Sequence, residues 1–309
     1  MVPVKTRSAK TPSDCLTRSE LRALSMPSDL RAVGVTLGNW ALIAGAFACP
    51  ILWTHPVSVL VSVLVLGGRQ MSLAVMAHDC AHYAFFRTKV LNDWVGQWAF
   101  AGPMNFSLSA YRAQHLKHHR FAGTPQDPDR VFVANYPVER ASLRRKFIRD
   151  LTGQTGVRDL IASLRRFNLG KRLPWVFFHS ALFAGLFWAG VPWAYGLWWA
   201  AELLIYPALT RIRQIGEHGV ALDRDSLDPR DNTATTLARF WERLLIAPNN
   251  VHYHLEHHLF AAVPSYRLPR LHRLLRARGY FDAHACLSEG YFNVLQRAVR
   301  AETPSPRCV

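Results

Sequence analysis

Cysteine is sparse in this 309-residue chain and never paired in sequence: Cys15, Cys49, Cys80, Cys286 and Cys308 form no CxxC unit. That excludes a disulfide framework, and a reducing compartment is adequate for the chain. Acidic residues are also few, 21 Asp and Glu against 37 Lys and Arg, for a formal net charge of +16. Such an excess suits phosphate binding. Here, however, the basic residues flank apolar blocks, where cytoplasmic retention and anionic lipid headgroups account for them, and no nucleic-acid partner is expected. The chain has no internal repeat and no low-complexity tract.

Half of the residues are hydrophobic, yet the mean hydropathy is only +0.01. The apolar residues must therefore be gathered into blocks separated by strongly polar stretches, the pattern of a membrane protein. One block, Ala32 to Thr54, carries no charge, and another runs from Leu173 to Ala201. Each is long enough to cross a hydrocarbon core roughly 30 Å thick. Neither reads as a cleaved signal peptide, because the first starts late, follows a charged segment and is soon followed by a further apolar run.

The chain is expected to be all-α and integral to the membrane, with four transmembrane helices in two hairpins and a cytoplasmic helical cap. The spans fall at about 33–54, 57–77, 174–190 and 193–210, with turns at His55-Pro56 and at Gly190 to Pro192. A polar N-terminal arm, 1–32, precedes the membrane domain, 33–275, and a cytoplasmic tail, 276–309, follows it. Residues 91–110, where Trp94, Trp98, Phe100 and Phe106 mix with Asn92, Asp93, Gln97 and Asn105, suit a helix lying at the interface. The stretch from Arg112 to Arg172 is rich in basic residues, among them Arg144, Lys146, Arg166 and Lys171, and stays inside. Both termini and this loop then share the cytoplasmic side, as in a bacterial inner membrane. Arg69 and Glu202 interrupt the second and fourth apolar runs; since intramembrane charges are costly and usually paired, they are expected to pair with each other.

Three histidine clusters lie just outside those spans: His78-Asp79-Cys80-Ala81-His82, His115-Leu116-Lys117-His118-His119 and His254-Leu255-Glu256-His257-His258. Residues three and four apart share a helix face, so each cluster projects its imidazoles into one small volume. Eight imidazoles exceed the needs of one tetrahedral zinc and suit two ions with four or five ligands each, leaving positions open for dioxygen. His218 directly follows the fourth span, emerges at the same face and makes a ninth ligand. Imidazole serves iron, copper, nickel and zinc alike, so the spacing leaves the metal open. Carboxylates that accept the free ring N–H groups should orient the rings. Asp79, Asp127, Glu217, Asp231 and Glu256 are the candidates. His55, His179, His252, His272 and His284 stand outside the spacing and read as surface or hydrogen-bonded core residues.

These boxes, their order and the hairpins before the first and between the second and third resemble the membrane fatty acid desaturase superfamily over roughly residues 33–275. The run from Asn249 to Phe260, with Val263-Pro264 and Tyr266 to Pro269 after it, is especially similar to that family's third-box region. The resemblance implies a non-haem di-iron oxidoreductase. Two iron ions would be held by the three boxes and His218, with dioxygen as co-substrate and a lipid or fatty acyl chain as substrate. Desaturation is the leading expectation; hydroxylation, carotenoid ketolation and decarboxylation to a terminal alkene are alternatives at the same site. The first box has three residues between its histidines, unlike the acyl-CoA delta-9 branch with four. With no CxxC pair and no haem-binding His pair at a terminus, electrons are expected from a separate ferredoxin- or cytochrome b5-like donor. A zinc-binding transporter or scaffold is the non-enzymatic reading. Transporter sites lie near the midplane on broken helices, whereas these boxes lie outside the spans.

Overall fold

The computed structural model describes residues 11–165, 168–282 and 284–300. Residues 1–10 of the expected arm, 301–309 of the expected tail with Cys308, Arg166 and the side chain of Lys171 lie outside that description. Helix α1, Asp29–Leu52, starts where Ser28 accepts a hydrogen bond from the Arg31 amide and Asp29 sits in the first turn, favourable against the helix dipole. Helix α2, Pro56–Ala81, begins after three intervening residues. The His55 ring accepts from the Val57 amide, and Pro56, which has no amide to leave unpaired, opens the first turn.

The short link folds α2 back along α1. Ser62 Oγ donates to the Ala46 carbonyl at 2.7 Å, which satisfies a hydroxyl inside an apolar contact. Both helices are long and apolar enough to cross a membrane, with mean hydropathies of 1.6 and 1.7. They face different surroundings: α1 leaves Leu30, Leu37, Leu42 and Leu52 exposed, whereas α2 is buried almost continuously from Leu66 to Ala81.

The segment expected as one interfacial helix is divided. Lys89–Val95 runs into a widened turn, Gly96–Ala101, and Asn105 then takes a left-handed conformation (φ +57°) before Ser107 caps helix α3, Leu108–Phe121. Helix α4, Leu169–Trp188, occupies the region of the third expected span. In place of a single regular fourth span there is a helical run over 195–219, here α5, widened into π-type turns at Ala201–Ile205 and Ile215–Gly219. Pro207 has no amide to give the Leu203 carbonyl, which accounts for the first widening.

Arg69 and Glu202 do not pair with each other. Arg69 donates to Asn39 Oδ1 at 3.2 Å and to the Leu244 carbonyl, and Glu202 accepts from the Trp198 indole at 2.9 Å. The nearer partners win: Asn39 on the adjacent α1, and Trp198 one turn earlier on the same face as Glu202.

The remainder is built from short elements, including helices α6, His254–Leu259, and α7, Leu268–Ala277, and a two-residue parallel pairing of Thr235–Thr236 with Leu287–Ser288. From residue 11 the expected polar arm is folded. Its helices Pro12–Cys15 and Arg18–Leu24 bury Cys15, Leu16 and Leu24 against Leu268, Leu271, Leu275 and Tyr280, and Glu20 pairs with Arg278 at 2.5 Å.

Candidate metal centre

Four elements bring the histidines together. The end of α2 carries His78 and His82, and its depth is set by close packing: a Cβ on Gly68 would meet the Leu244 carbonyl oxygen and Leu245 Cα at 2.8 Å. One face of α3 carries His115, His118 and His119. His218 sits in the second widened turn of α5, where an extra residue per turn re-aims the side chains. Before α6, Asn249 and Asn250 both adopt left-handed conformations (φ +53° and +61°), a turn that asparagine tolerates and β-branched residues do not. The Asn249 amide donates to Ser72 Oγ at 2.9 Å, tying this turn to α2 and aiming His254, His257 and His258 at the other boxes.

All nine histidines converge, in two groups that the spacing did not foretell. His78, His82, His115, His119 and His257 form one, and His118, His218, His254 and His258 the other, with ligand-capable atoms within 4.8 Å of one another in each. The Nε2 atoms approach closely: His115 to His119 at 3.0 Å, His119 to His257 at 3.0 Å, His218 to His254 at 2.9 Å. The opposite ring nitrogens meet acceptors. His78 Nδ1 faces Asp79 at 3.1 Å, His118 Nδ1 faces Asp127 at 2.8 Å, and His218 Nδ1 faces the Asn232 carbonyl at 3.0 Å. His254 Nδ1 lies 3.6 Å from Glu217, which Arg213 approaches to 3.4 Å. In His78, His118 and His218, where Nδ1 is so held, Nε2 is left to bind a cation; His254 Nδ1 and His82 Nε2 are buried without a hydrogen-bond partner. This donor set fits two imidazole-ligated metal ions.

The electrostatics agree. Burial, followed by the charges of neighbouring imidazoles, holds His115, His254, His257 and His258 well below the usual histidine range, His82 and His119 at about 2, and His218 at about 4. Neutral imidazole is the form that ligates metal. His118 departs from the rest: burial pulls it down, but its hydrogen bond to Asp127 and the charges of Asp127 and Asp129 lift it on balance. Burial raises Glu217 against the pull of Arg213.

Asp79, Asp127 and Glu217 thus stand beside box imidazoles. Two other expected carboxylates do not. Glu256, two residues from both His254 and His258, points to the opposite side of α6 and accepts from Thr235 Oγ1 and faces His272 Nδ1, each at 2.5 Å. Asp231 accepts from Ser226 Oγ at 3.0 Å and lies 3.4 Å from His284; it is the backbone of its neighbour Asn232 that meets His218. The five remaining histidines lie apart from both groups. His55 caps α2, His179 meets the Tyr195 hydroxyl at 2.9 Å, and His252 faces the Thr236 carbonyl at 2.8 Å.

Sequence reasoning missed Tyr111, whose ring stacks on His115 with centroids 5.2 Å apart, and Arg213 beside Glu217. Both lie four residues before a site residue, so helical spacing could have found them. A small cavity of about 50 Å³ bordered by Tyr111, Phe132, Arg213, Gln214 and His78 opens onto the histidines.

The sequence matches the family described as fatty acid desaturase over residues 29–288. It is 26% identical to a dihydrorhizobitoxine desaturase of Bradyrhizobium elkanii over 83% of this chain and 77% of that protein. A beta-carotene ketolase of Paracoccus sp. (strain PC1) is 29% identical over 77% of this chain and 93% of its own length. An sn-1 acyl-lipid omega-3 desaturase (ferredoxin) of Synechocystis sp. is 32% identical, but over only 36% of this chain and 28% of that protein.

Proposed function

Because the chain belongs to the fatty acid desaturase family, we propose that it is an integral-membrane, dioxygen-dependent desaturase of a long lipid or acyl chain, with two iron ions on its nine clustered histidines. The observation that carries this reading is the division of those histidines into groups of five and four. One group would hold each ion. The irons supply what no side-chain acid or base can, the oxidising power to break an unactivated C–H bond with dioxygen. The chain's own residues orient and shield. Asp79, Asp127 and the Asn232 carbonyl fix ring orientation, Glu217 lies beside His254, and the buried end of α2 shields its side of the site from bulk water.

Reducing dioxygen to two waters takes four electrons, of which one new C=C bond supplies two. A separate donor, ferredoxin- or cytochrome b5-like, delivers the other two. In this reading α1, α2, α4 and α5 are four spans in two hairpins, with the basic middle loop, the boxes and both ends on the cytoplasmic side. The apolar residues exposed on α1 and α4, such as Leu37, Leu52, Phe177 and Trp188, support a lipid surround.

A second reading, insertion of oxygen rather than desaturation, is favoured by the match that spans 93% of a beta-carotene ketolase. Expression in a host lacking either activity, followed by mass spectrometry of lipids and pigments, separates the two: new C=C bonds support desaturation, and added oxygen without unsaturation overturns it. Purified protein is expected to carry about two irons per chain, and His257→Ala to lose iron and turnover together. Full activity in His257→Ala would overturn the site.

A further inference from the structure

Beside α5 lies a cavity of about 420 Å³ that shares Phe132 and Gln214 with the histidine cavity. Its volume is in the range of small-ligand sites. Helices Arg140–Leu151 and Gln154–Arg165 form one wall and α5, from Glu202 to Gln214, the other. The walls meet closely at Gly156, where a Cβ would come within 2.5 Å of the Leu203 carbonyl oxygen.

Charge is ordered along this cavity. Arg211 is committed to Asp150 at 2.5 and 2.8 Å, and Arg158 to Asp159 at 3.0 Å. Lys146 and Arg149 line the same region and make no ion pair among the described residues. Lys146 is half-buried with its ammonium 4.4 Å from the Tyr136 ring centre, and burial, then the charges of Arg211 and Arg149, lower its pKa. Arg149 is exposed beside it, and a partly desolvated ammonium such as that of Lys146 gains from a nearby anion. Glu202 lines the opposite end of the cavity, nine residues before Arg211 and about 14 Å along the helix, where its carboxyl accepts from the Trp198 indole, so the cations gather at one end.

Building on the di-iron reading above, we infer that this cavity holds the polar end of the substrate, and that the substrate is an anionic amphiphile. A carboxylate or phosphate rests on Lys146 and Arg149, and the apolar chain passes Phe132 and Gln214 toward the histidines. A neutral polyene would offer neither cation a counter-charge.

The test uses the full chain in lipid nanodiscs, with calorimetric titration of decanoate, decyl phosphate and 1-decanol into wild type and the Lys146→Gln/Arg149→Gln double variant, and empty nanodiscs subtracted. The variant is expected to bind the preferred anion about tenfold more weakly, since each tenfold reflects roughly 1.4 kcal/mol, and to bind decanol as wild type does. Preference for decanoate assigns a carboxylate, and preference for decyl phosphate a phosphate. Failure of both anions to bind, equal anion affinity in the two proteins, or decanol binding wild type as tightly as the anions would each overturn the inference. Iron content measured on the same samples separates the two proposals: iron-poor protein with the anion effect intact sinks the di-iron reading and leaves the cavity standing.

Discussion

Which nitrogen of a histidine carries the proton matters here as much as where the ring lies. His118 presents Nδ1 to Asp127 at 2.8 Å, which turns Nε2 toward the other imidazoles of its group. Asp127→Asn keeps the shape but replaces a charged acceptor, so iron affinity is expected to fall about 10–100-fold with the fold retained. Chelator titration followed by metal analysis measures this, and Asp231→Asn, whose carboxylate meets Ser226 and His284 instead, should leave affinity unchanged. Eight of the histidines were legible in the sequence because ligand spacing and helix period coincide, and His218 from its place just after the fourth apolar run. Their division into five and four was not, since it depends on how α2, α3, α6 and the widened turn of α5 are set against one another. Nor could the Asn232 carbonyl be read, because a backbone acceptor has no side-chain signature. Glu256 was misread for the opposite reason: it is adjacent to the histidines in sequence but two residues out of phase with them.

Helix α2 carries the first box and also seats the segment at Leu244 and Leu245. Gly68→Ala would drive a methyl into the backbone of Leu244 and Leu245 at 2.8 Å, so a loss of about 1–3 kcal/mol is expected, read as a lower unfolding temperature in detergent. Gly38→Ala on α1 meets nothing within 4 Å and should be neutral or stabilising by up to about 1 kcal/mol through helix propensity. Arg211 makes a different case. Asp150 is fully buried beneath it, so Arg211→Ala leaves a carboxylate without its cation, and about 3–5 kcal/mol of stability should be lost in the same assay. The first two helices were evident from their uncharged apolar runs. The broken form of α5 was not anticipated, although Pro207 was visible: proline in an apolar run is compatible with a kinked span as well as a widened turn, and tertiary contacts decide between them.

At the scale of the whole molecule, the arm of residues 11–28 closes the fold by docking on α7. Hydrogen bonding to Arg278, reinforced by the Thr17 backbone and hydroxyl, holds the Glu20 carboxyl at about 2, below its ordinary 4.5. A depressed carboxyl stabilises the docked arm above the ordinary value, and that contribution disappears as pH falls from 4.5 toward 2. Limited proteolysis of the arm should therefore accelerate across that interval in wild type, while Glu20→Gln should be cleaved faster at neutral pH and change little on acidification. The arm read as merely polar in sequence because Cys15, Leu16 and Leu24 are few and scattered; their partners, Leu268, Leu271 and Leu275, lie some 250 positions away.

That separation sets a clock on biosynthesis. The arm is synthesised some 250 residues before its binding surface, so at about 5–20 residues per second it waits roughly 12–50 s before it can dock. Ser28 donates its amide to the Tyr266 hydroxyl, which in turn donates to the Phe85 carbonyl. The beginning of α1, the chain just past the first box and the segment after the third are thus latched by one tyrosine, and these three segments stay unlatched until residue 266 has been made.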